Sequence, residues 1–299
     1  MEKRKFGKTD LEFSVLGFGG AEIGFNPNQT QADVTELLNS ALDAGLNLVD
    51  TAAAYKTSEK MIGEAVGKRR REFYLITKCG ALDGFTRFDW SKKGILETIE
   101  QSLRNLKTDY LDIAQLHSCD AEELRRGDAI EGLQRAVEKG YTRYIGYSGD
   151  NEDARVAIEL DVFDSFQTSV NIADQTPIDG NVALAASKNL GVIAKRPIAN
   201  AVWRYKEKPD ESYHHEYWDR IQKLQYDFLK KSAEEATATA LRFTLSIPGV
   251  STVIVGTTRP NRWQENAGYV AEGNLSNEEF EEIRNRWREV ASKDWVGMT

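Results

Sequence analysis

Short apolar runs rich in β-forming residues alternate along the chain with longer segments whose apolar residues recur every three or four positions. The segments between the runs predict amphipathic helices. One of them begins with a capping-box sequence at Thr30, and its apolar face comprises Val34, Leu37, Leu38, Ala41 and Leu42. The apolar runs predict eight strands, at 15–18, 46–49, 73–76, 111–114, 144–147, 166–170, 192–194 and 253–255. Strict alternation of strand and helix predicts parallel strands, and eight such units favour an α/β fold of the (β/α)8 TIM-barrel type.

An open, doubly wound sheet is the alternative, because it also alternates parallel strands with helices. Such a sheet often carries a G-x-G-x-x-G turn after its first strand. Residues 17–22 read Gly-Phe-Gly-Gly-Ala-Glu and lack the third glycine, so the barrel is favoured. No linker or low-complexity run interrupts the pattern, and residues 1–299 are expected to form one domain.

Two additions to the barrel are predicted at the ends of the chain. Residues 3–14 are typical of a β-hairpin with a turn at Gly7 to Asp10, placed to plug the N-terminal end of the barrel. The capping-box sequence from Ser276 to Glu279 precedes an apolar stripe and predicts an extra C-terminal helix. Helix C′ positions just before the next strand are predicted at three glycines, Gly45, Gly140 and Gly191.

The amino-acid composition disfavours two kinds of binding partner, nucleic acid and membrane. Lys and Arg total 39 against 47 Asp and Glu, and the net charge of −8 disfavours nucleic acid as a partner. No run approaches the roughly 18 apolar residues of a membrane span, and the N-terminus lacks the apolar stretch of a signal peptide. We therefore expect a cytoplasmic protein without membrane contact; the sequence leaves its oligomeric state open.

Few residues in the chain could bind a metal. The adjacent His214 and His215 lack further ligands at a convincing spacing, so no metal site is expected. Cys79 and Cys119 follow two neighbouring predicted strands. They could form a redox pair, but two unrelated thiols are the favoured interpretation.

Polar side chains stand at the predicted C-terminal ends of nearly all the strands, where barrels of this type hold their active sites. These residues are Asp50, Lys78, His117, Ser148, Asn171, Lys195 and Arg196, together with Thr257 and Thr258, which follow Gly256 at the end of the eighth strand. An aspartate, a lysine and a histidine on three successive strand ends are costly to bury unless they pair. The pattern therefore predicts a functional cluster at this end of the barrel.

The stretch Asp50-Thr51-Ala52-Ala53-Ala54-Tyr55, followed by Ser58-Glu59, resembles the signature of the aldo-keto reductase family. Thr77-Lys78 and Leu116-His117 resemble the lysine and histidine strand ends of that family, and the similarity runs from about residue 3 to about residue 290. The resemblance implies a barrel enzyme that uses NADPH or NADH, with catalytic residues Asp50, Tyr55, Lys78 and His117.

The chemistry of these residue types agrees with the resemblance. A carbonyl that accepts a hydride needs a proton at its oxygen, and Tyr55 is the proposed general acid. A nearby Lys78 ammonium is expected to lower the pKa of Tyr55, with Asp50 holding the lysine. His117 is expected to donate a hydrogen bond to the substrate oxygen and so to orient it.

Two further groups resemble the cofactor motifs of the family. Gly146-Tyr147-Ser148-Gly149, with Gln167 and Asn171, resembles the nicotinamide-side motifs, and Ser148 and Gln167 suit a carboxamide. The adenosine-side motif is matched by Gly256, Thr257, Thr258, Arg262, Glu265 and Asn266. The expected cofactor is NADPH, because Arg262 suits a 2′-phosphate; NADH is a possible substitute.

Three departures from the family pattern stand out. The family often has Asn after the Ser of the fifth strand, whereas this chain reads Ser148-Gly149-Asp150. Lys195 or Arg196 replaces an aromatic residue that stacks on nicotinamide, and Gly256 replaces a lysine. The planar guanidinium of Arg196 could stack on the ring, and the charge of either Lys195 or Arg196 could instead contact the pyrophosphate.

The segment 199–231 is polar and aromatic and predicts a long loop with partial helix, with Trp203 as the substrate-binding candidate. The predicted function is reduction of a small aldehyde or ketone, or the reverse reaction. The alternatives are a regulatory subunit that senses nicotinamide through binding, and a barrel lyase or phosphate-sugar isomerase.

Overall fold

The computed structural model describes residues 1–298. Twelve strands occur within them: β1 (Lys3–Lys5), β2 (Glu12–Ser14), β3 (Leu16–Gly19), β4 (Leu48–Asp50), β5 (Tyr74–Cys79), β6 (Ala81–Leu82), β7 (Arg87–Phe88), β8 (Leu111–His117), β9 (Thr142–Ser148), β10 (Ser165–Ser169), β11 (Gly191–Lys195) and β12 (Val250–Gly256). Eight of these close into a parallel barrel in the order β3-β4-β5-β8-β9-β10-β11-β12, with β12 pairing back onto β3. The α/β barrel prediction and its eight strands are confirmed.

The twelve α-helices of the described residues cover the barrel or lie in its loops. They are α1 (Ala21–Phe25), α2 (Gln31–Asp43), α3 (Ser58–Val66), α4 (Lys92–Leu106), α5 (Ala121–Arg126), α6 (Asp128–Glu138), α7 (Asn151–Glu159), α8 (Ala183–Ser187), α9 (His215–Leu224), α10 (Ala233–Ser246), α11 (Arg262–Ala271) and α12 (Asn277–Val290). The capping boxes expected at Thr30 and Ser276 are both present, and the extra C-terminal helix is therefore confirmed. Within residues 1–298, no helix has the length and apolar character to cross a membrane.

The predicted N-terminal hairpin is formed by β1 and β2, which pair antiparallel. Its apolar residues Phe6, Leu11 and Phe13 are fully buried and pack on inward-facing strand residues such as Ile193 and Ile254. The rings of Phe6 and Phe13 lie 4.3 Å apart. The hairpin therefore fills one end of the barrel interior, and the chemistry is left to the other end.

One predicted helix end is wrong. Gly45 and Gly140 have positive φ angles of 99° and 73° as expected, but before β11 it is Asn189, with φ of 56°, that takes the left-handed position. Gly191 instead begins the strand, where an added Cβ would lie 2.3 Å from the Phe6 ring. The glycine is needed for close approach of the plug, and not for helix termination.

The segment 199–231 has the mixed character that its sequence predicts. It contains helix α9 and three short 3₁₀ turns, at Ala199–Arg204, Ser212–His214 and Asp227–Lys230. After α12, residues 291–298 run back across the end of the barrel from which the segment 199–231 emerges. Their backbone carbonyl oxygens accept hydrogen bonds there from the side chains of Ser169, Thr176 and Arg220.

Candidate active site

A buried ion pair lies at the C-terminal ends of β4 and β5. The Lys78 Nζ atom lies 2.8 and 2.7 Å from the two Asp50 carboxylate oxygens and also donates to the Thr51 carbonyl oxygen at 2.9 Å. Burial raises the pKa of Asp50 and lowers that of Lys78, while the mutual attraction opposes both shifts. Three acceptor oxygens around one ammonium make this buried charge tolerable.

Tyr55 lies in the turn between β4 and α3, close to the ion pair. Its ring centroid is 5.3 Å from Lys78 Nζ and 5.5 Å from the His117 ring centroid. The turn is anchored by Ser58, whose hydroxyl donates to the Gly20 carbonyl oxygen at 2.7 Å. The next residue, Glu59, accepts a hydrogen bond from Thr77, so the Ser-Glu sequence fixes the start of α3 against two strands.

The expected lowering of the Tyr55 pKa is wrong for this structure. Burial raises the pKa of Tyr55, and the Asp50 carboxylate raises it further. Asp50 neutralises the Lys78 ammonium at contact distance, so little net positive charge is left to favour a phenolate. Tyr55 is therefore a neutral phenol that carries its proton.

His117 ends β8 and is buried beside Tyr55. Burial holds its pKa well below the ordinary histidine value, and the charges of Lys78, Lys195 and Arg196 lower it further. The imidazole is therefore neutral, with one N–H available as a donor. Its Nδ1 atom has no hydrogen-bond partner among the described residues.

Ser148 and Gln167 lie side by side in the register of β9 and β10, and His117 is level with Ser148 across β8. Gln167 Nε2 donates to Asp50 at 3.2 Å, which orients its amide. The Ser148 Oγ and Gln167 Oε1 atoms are buried, and neither has a partner among residues 1–298. An unpartnered hydroxyl beside an unpartnered amide oxygen matches the acceptor and donor of a carboxamide.

The adenosine-side candidates cluster after β12. Gly256 ends the strand, and the hydroxyl of Thr257 accepts from the Arg259 backbone at 3.1 Å. Arg262 opens α11 and pairs with Glu265 at 2.7 Å, and Asn266 is buried with an unpartnered Oδ1 atom. The structure thus brings Arg262, Glu265 and Asn266 onto one short helix; Thr258 follows Thr257 in the connecting turn.

The remaining cofactor candidates are engaged with protein groups. Lys195 ends β11 and pairs with buried Asp150 at 2.8 Å. The Asn171 amide donates to the Arg196 carbonyl oxygen and accepts from the Ala173 backbone, so it has a structural role, and cofactor contact by Asn171 stays a prediction. The Arg196 guanidinium bonds Tyr213, Ser169 and the Met298 carbonyl oxygen.

Two aromatic residues beside Tyr55, Phe25 and Phe85, are not among the site residues predicted from the sequence. The ring centroids of Phe25 and Phe85 lie 5.9 and 6.2 Å from that of Tyr55, and Phe85 also lies 4.9 Å from His117. Both phenylalanines are more than one-third exposed. The available signal in the sequence was an aromatic residue in each of the segments that follow the first and third predicted strands. They form an apolar rim at the mouth of the site.

Trp203 lies in the first 3₁₀ turn of 199–231, half-buried, with an unpartnered indole N–H. Its contact with substrate stays a prediction. Cys79 and Cys119 are both buried free thiols, and no disulfide joins them. Burial raises the pKa of both thiols. Across residues 1–298 no group of three or more metal-ligating side chains is found.

A closed parallel barrel with an ion pair, a tyrosine and a histidine at its C-terminal end is typical of one class of oxidoreductases. The model of the aldo/keto reductase family matches residues 15–288. The chain belongs to this family and is an oxidoreductase by that membership.

Known proteins similar to this chain span nearly its whole length. The uncharacterized oxidoreductase YqkF of Bacillus subtilis is 28% identical over 97% of each chain. The L-galactose dehydrogenase of Arabidopsis thaliana is 28% identical over 91% of this chain and 89% of that protein. A solved aldo-keto reductase from Bacillus halodurans, in its holo form, superposes with a TM-score of 0.84 at 26% identity, covering 98% of this chain and 99% of that one.

Proposed function

We propose that this protein reduces a small aldehyde or ketone to the alcohol with NADPH, and that Tyr55 is the general acid. One observation carries the proposal. The Tyr55 ring centroid lies 5.3 Å from the Nζ atom of Lys78, which is paired with Asp50, and 5.5 Å from the His117 ring centroid. A protonated phenol, a paired ammonium and a neutral imidazole surround one position for a carbonyl oxygen. That position is suited to developing negative charge.

The neutral state of Tyr55 supports its assignment as proton donor. Because burial raises its pKa, the phenol keeps its proton throughout the neutral pH range. As charge develops on the substrate oxygen, the hydroxyl gives up this proton to it. Asp50 holds Lys78 in place through two contacts.

His117 has a separate role in orientation. A neutral imidazole donates one hydrogen bond to the carbonyl oxygen without adding an ionised group to the buried site. The rim rings of Phe25 and Phe85 give the mouth of the site an apolar surface beside Tyr55 and His117. These contacts favour a carbonyl held between Tyr55 and His117.

The unpartnered atoms fit a nicotinamide cofactor. Ser148 and Gln167 would hold the carboxamide, Asn266 offers an acceptor suited to adenine, and Arg262 offers a guanidinium for a 2′-phosphate. When bound, the reduced nicotinamide supplies the hydride. The NADPH preference rests on Arg262, because NADH lacks the phosphate that a guanidinium binds.

The test is NADPH consumption, followed by absorbance, against a panel of aldehydes and ketones. Tyr55→Phe removes only the hydroxyl, so it should bind NADPH with unchanged affinity and lose at least about a hundredfold in kcat. Tyr144→Phe, a tyrosine at the opposite end of the barrel, is the matched control. Near-normal turnover by Tyr55→Phe would contradict the assignment. Tight NADPH binding with no turnover on any carbonyl would favour a nicotinamide-sensing subunit.

A further inference from the structure

Two aromatic rings pack against the His117 imidazole at steep angles. The Tyr55 and Phe85 ring centroids lie 5.5 and 4.9 Å from the imidazole centroid, with interplanar angles of 78° and 67°. Edge-to-face pairs of this kind are favourable and directional, because the positive edge of one ring meets the negative face of the other. Of the two rings, that of Phe85 lies closer to the imidazole.

The described residues do not fix this imidazole through its Nδ1 atom. A histidine at a catalytic position is often oriented by a hydrogen bond from one ring nitrogen to a carbonyl oxygen or a carboxylate. The Nδ1 atom of His117 is buried and has no such partner among residues 1–298. Rotation of the imidazole about its Cβ–Cγ bond is therefore opposed by packing against its neighbours.

Phe85 reaches the imidazole from an unusual turn. Three successive residues, Asp83, Gly84 and Phe85, have positive φ angles of 49°, 68° and 68°. A left-handed backbone is rare for a residue with a bulky side chain, and it persists only where the surrounding structure holds it. Strain of this kind is concentrated at functional sites, so the turn itself points to a role for Phe85.

The turn is attached to the segment that carries Tyr55. The Gly84 backbone N–H donates to the carbonyl oxygen of Ala54, the residue before Tyr55, at 3.1 Å. Strands β6 and β7 flank the turn and pair antiparallel. Phe85 and Tyr55 therefore belong to one hydrogen-bonded unit, which supplies both rings that pack on His117.

The Phe85 ring contacts both the buried imidazole and solvent. Phe85 is 39% exposed, whereas His117 is 5% exposed. Burial holds the pKa of His117 well below its ordinary value, and the charges of Lys78, Lys195 and Arg196 lower it further. Removing the Phe85 ring would let water reach the imidazole from this side.

We propose that Phe85 is a positioning residue, whose ring holds the His117 imidazole beside Tyr55 in the orientation that hydrogen-bonds the carbonyl oxygen. The catalytic consequence rests on the proposed reductase function, whereas the positioning of the imidazole does not. Phe85 then acts through His117 and not as a binding surface for the substrate. These two roles of the ring have different experimental consequences.

Nitrogen-15 NMR of the imidazoles tests the positioning without any turnover. The chain has three histidines, so the signals of His117 can be followed beside those of His214 and His215. In the wild-type protein the His117 nitrogens should not titrate between about pH 6 and 8. In Phe85→Ala the pKa of His117 should rise toward about 6.5 as water reaches the ring, and its nitrogens should titrate. Phe85→Tyr keeps the ring and should restore the wild-type behaviour.

Phe88→Ala is the matched control. Phe88 lies in the same hairpin and its ring stacks on Trp90 at 6.1 Å, so its removal should leave all three histidines as they are in the wild-type protein. Phe85→Gly is the second variant, because glycine accepts the left-handed φ angle and protects the fold of the turn. A His117 that still does not titrate in either folded variant would overturn the proposal.

Kinetics test whether Phe85 acts through His117. Benzaldehyde and propanal share the aldehyde and differ in their apolar bodies. Phe85→Ala should lower kcat on both by about tenfold or more, because a misplaced donor affects the carbonyl oxygen that they share. In a His117→Ala background the same substitution should change kcat by less than about twofold, since the group that it positions is gone. A change confined to KM for benzaldehyde, or a full tenfold loss without His117, would overturn the proposal and make Phe85 a wall of the substrate pocket.

The NMR and kinetic measurements together separate this inference from the reductase proposal. Titration of His117 in the folded Phe85 variants, with no turnover of any carbonyl by the wild-type protein, would refute only the reductase. Turnover by the wild-type protein, with His117 unaffected by removal of the Phe85 ring, would refute only the positioning role.

Discussion

The Asp50→Asn variant tests how much stability the protein loses when the buried Lys78 ammonium is left without its partner. The substitution keeps the shape of the side chain but removes the negative charge that lies 2.7 Å from Lys78 Nζ. Both side chains are at most 2% exposed, so water does not replace the lost partner. The buried lysine then either stays charged without a counter-ion or loses its proton.

The loss of unfolding free energy expected for Asp50→Asn follows from these two outcomes. Removing one partner of a buried pair costs about 3–5 kcal/mol. The cost has a ceiling, because deprotonating a lysine of ordinary pKa about 10.4 at pH 7 takes about 4.6 kcal/mol. We therefore expect Asp50→Asn to lose about 3–4.6 kcal/mol of unfolding free energy at pH 7. Lys78→Met combined with Asp50→Asn should recover much of this loss, since no charge is then left buried.

The stability of the Asp50→Asn variant should change with pH in a defined direction. In the variant the folded-state pKa of Lys78 falls further below its unfolded value, so the unfolded chain binds the extra proton and stability rises with pH. The loss relative to wild type should shrink by up to about 1.4 kcal/mol per pH unit between pH 7 and 9. Urea unfolding of both proteins at the two pH values measures it. An unchanged loss at pH 9, or no loss at pH 7, would refute the reasoning.

Three further outcomes are expected. Arg262→Ala should weaken NADPH binding about tenfold or more while leaving NADH within twofold, as measured by fluorescence titration; equal losses for both cofactors would move the phosphate site elsewhere, with Arg259 as the next candidate. Because the pKa of His117 lies well below its ordinary value, kcat/KM should show no histidine inflection between pH 6 and about 8, and an inflection there would contradict a neutral imidazole. Limited proteolysis should cut within 199–231 in the free protein and be slowed by saturating NADPH; equal cleavage would give that segment a purely structural role.

The barrel could be predicted from the sequence because its signals are local. Each strand is a short apolar run, and each helix face follows from spacing, as with Val34, Leu37 and Leu38, which are all buried. The function of Gly191 was misread because the reason for that glycine is the Phe6 ring, which is remote in sequence. The residues next to Gly191 in the sequence carry no signal of its close approach to Phe6.

The candidate site could be predicted only where residues share strand ends. Asp50, Lys78 and His117 end buried strands, so their convergence follows from the barrel alone. Phe25 and Phe85 reach Tyr55 from the end of the short helix α1 and from a 3₁₀ turn after β6, and no periodicity describes the paths of these connections. The sign of the Tyr55 pKa shift was also beyond the sequence, because it depends on how deeply the folded chain buries the phenol, with the Asp50 carboxylate adding to the rise.

Closure of the barrel between β3 and β12 has a consequence for how the protein is made on the ribosome. The first barrel strand pairs with residues 253–256, and its plug packs on Ile193 and Ile254. At about 5–20 residues per second, the roughly 235 residues between these strands take about 12–47 s to synthesise. For that interval Phe6, Leu11 and Phe13 lack part of the surface that buries them, because Ile254 has not yet been made. The nascent chain therefore cannot complete the packing of its plug until translation of the barrel is nearly finished.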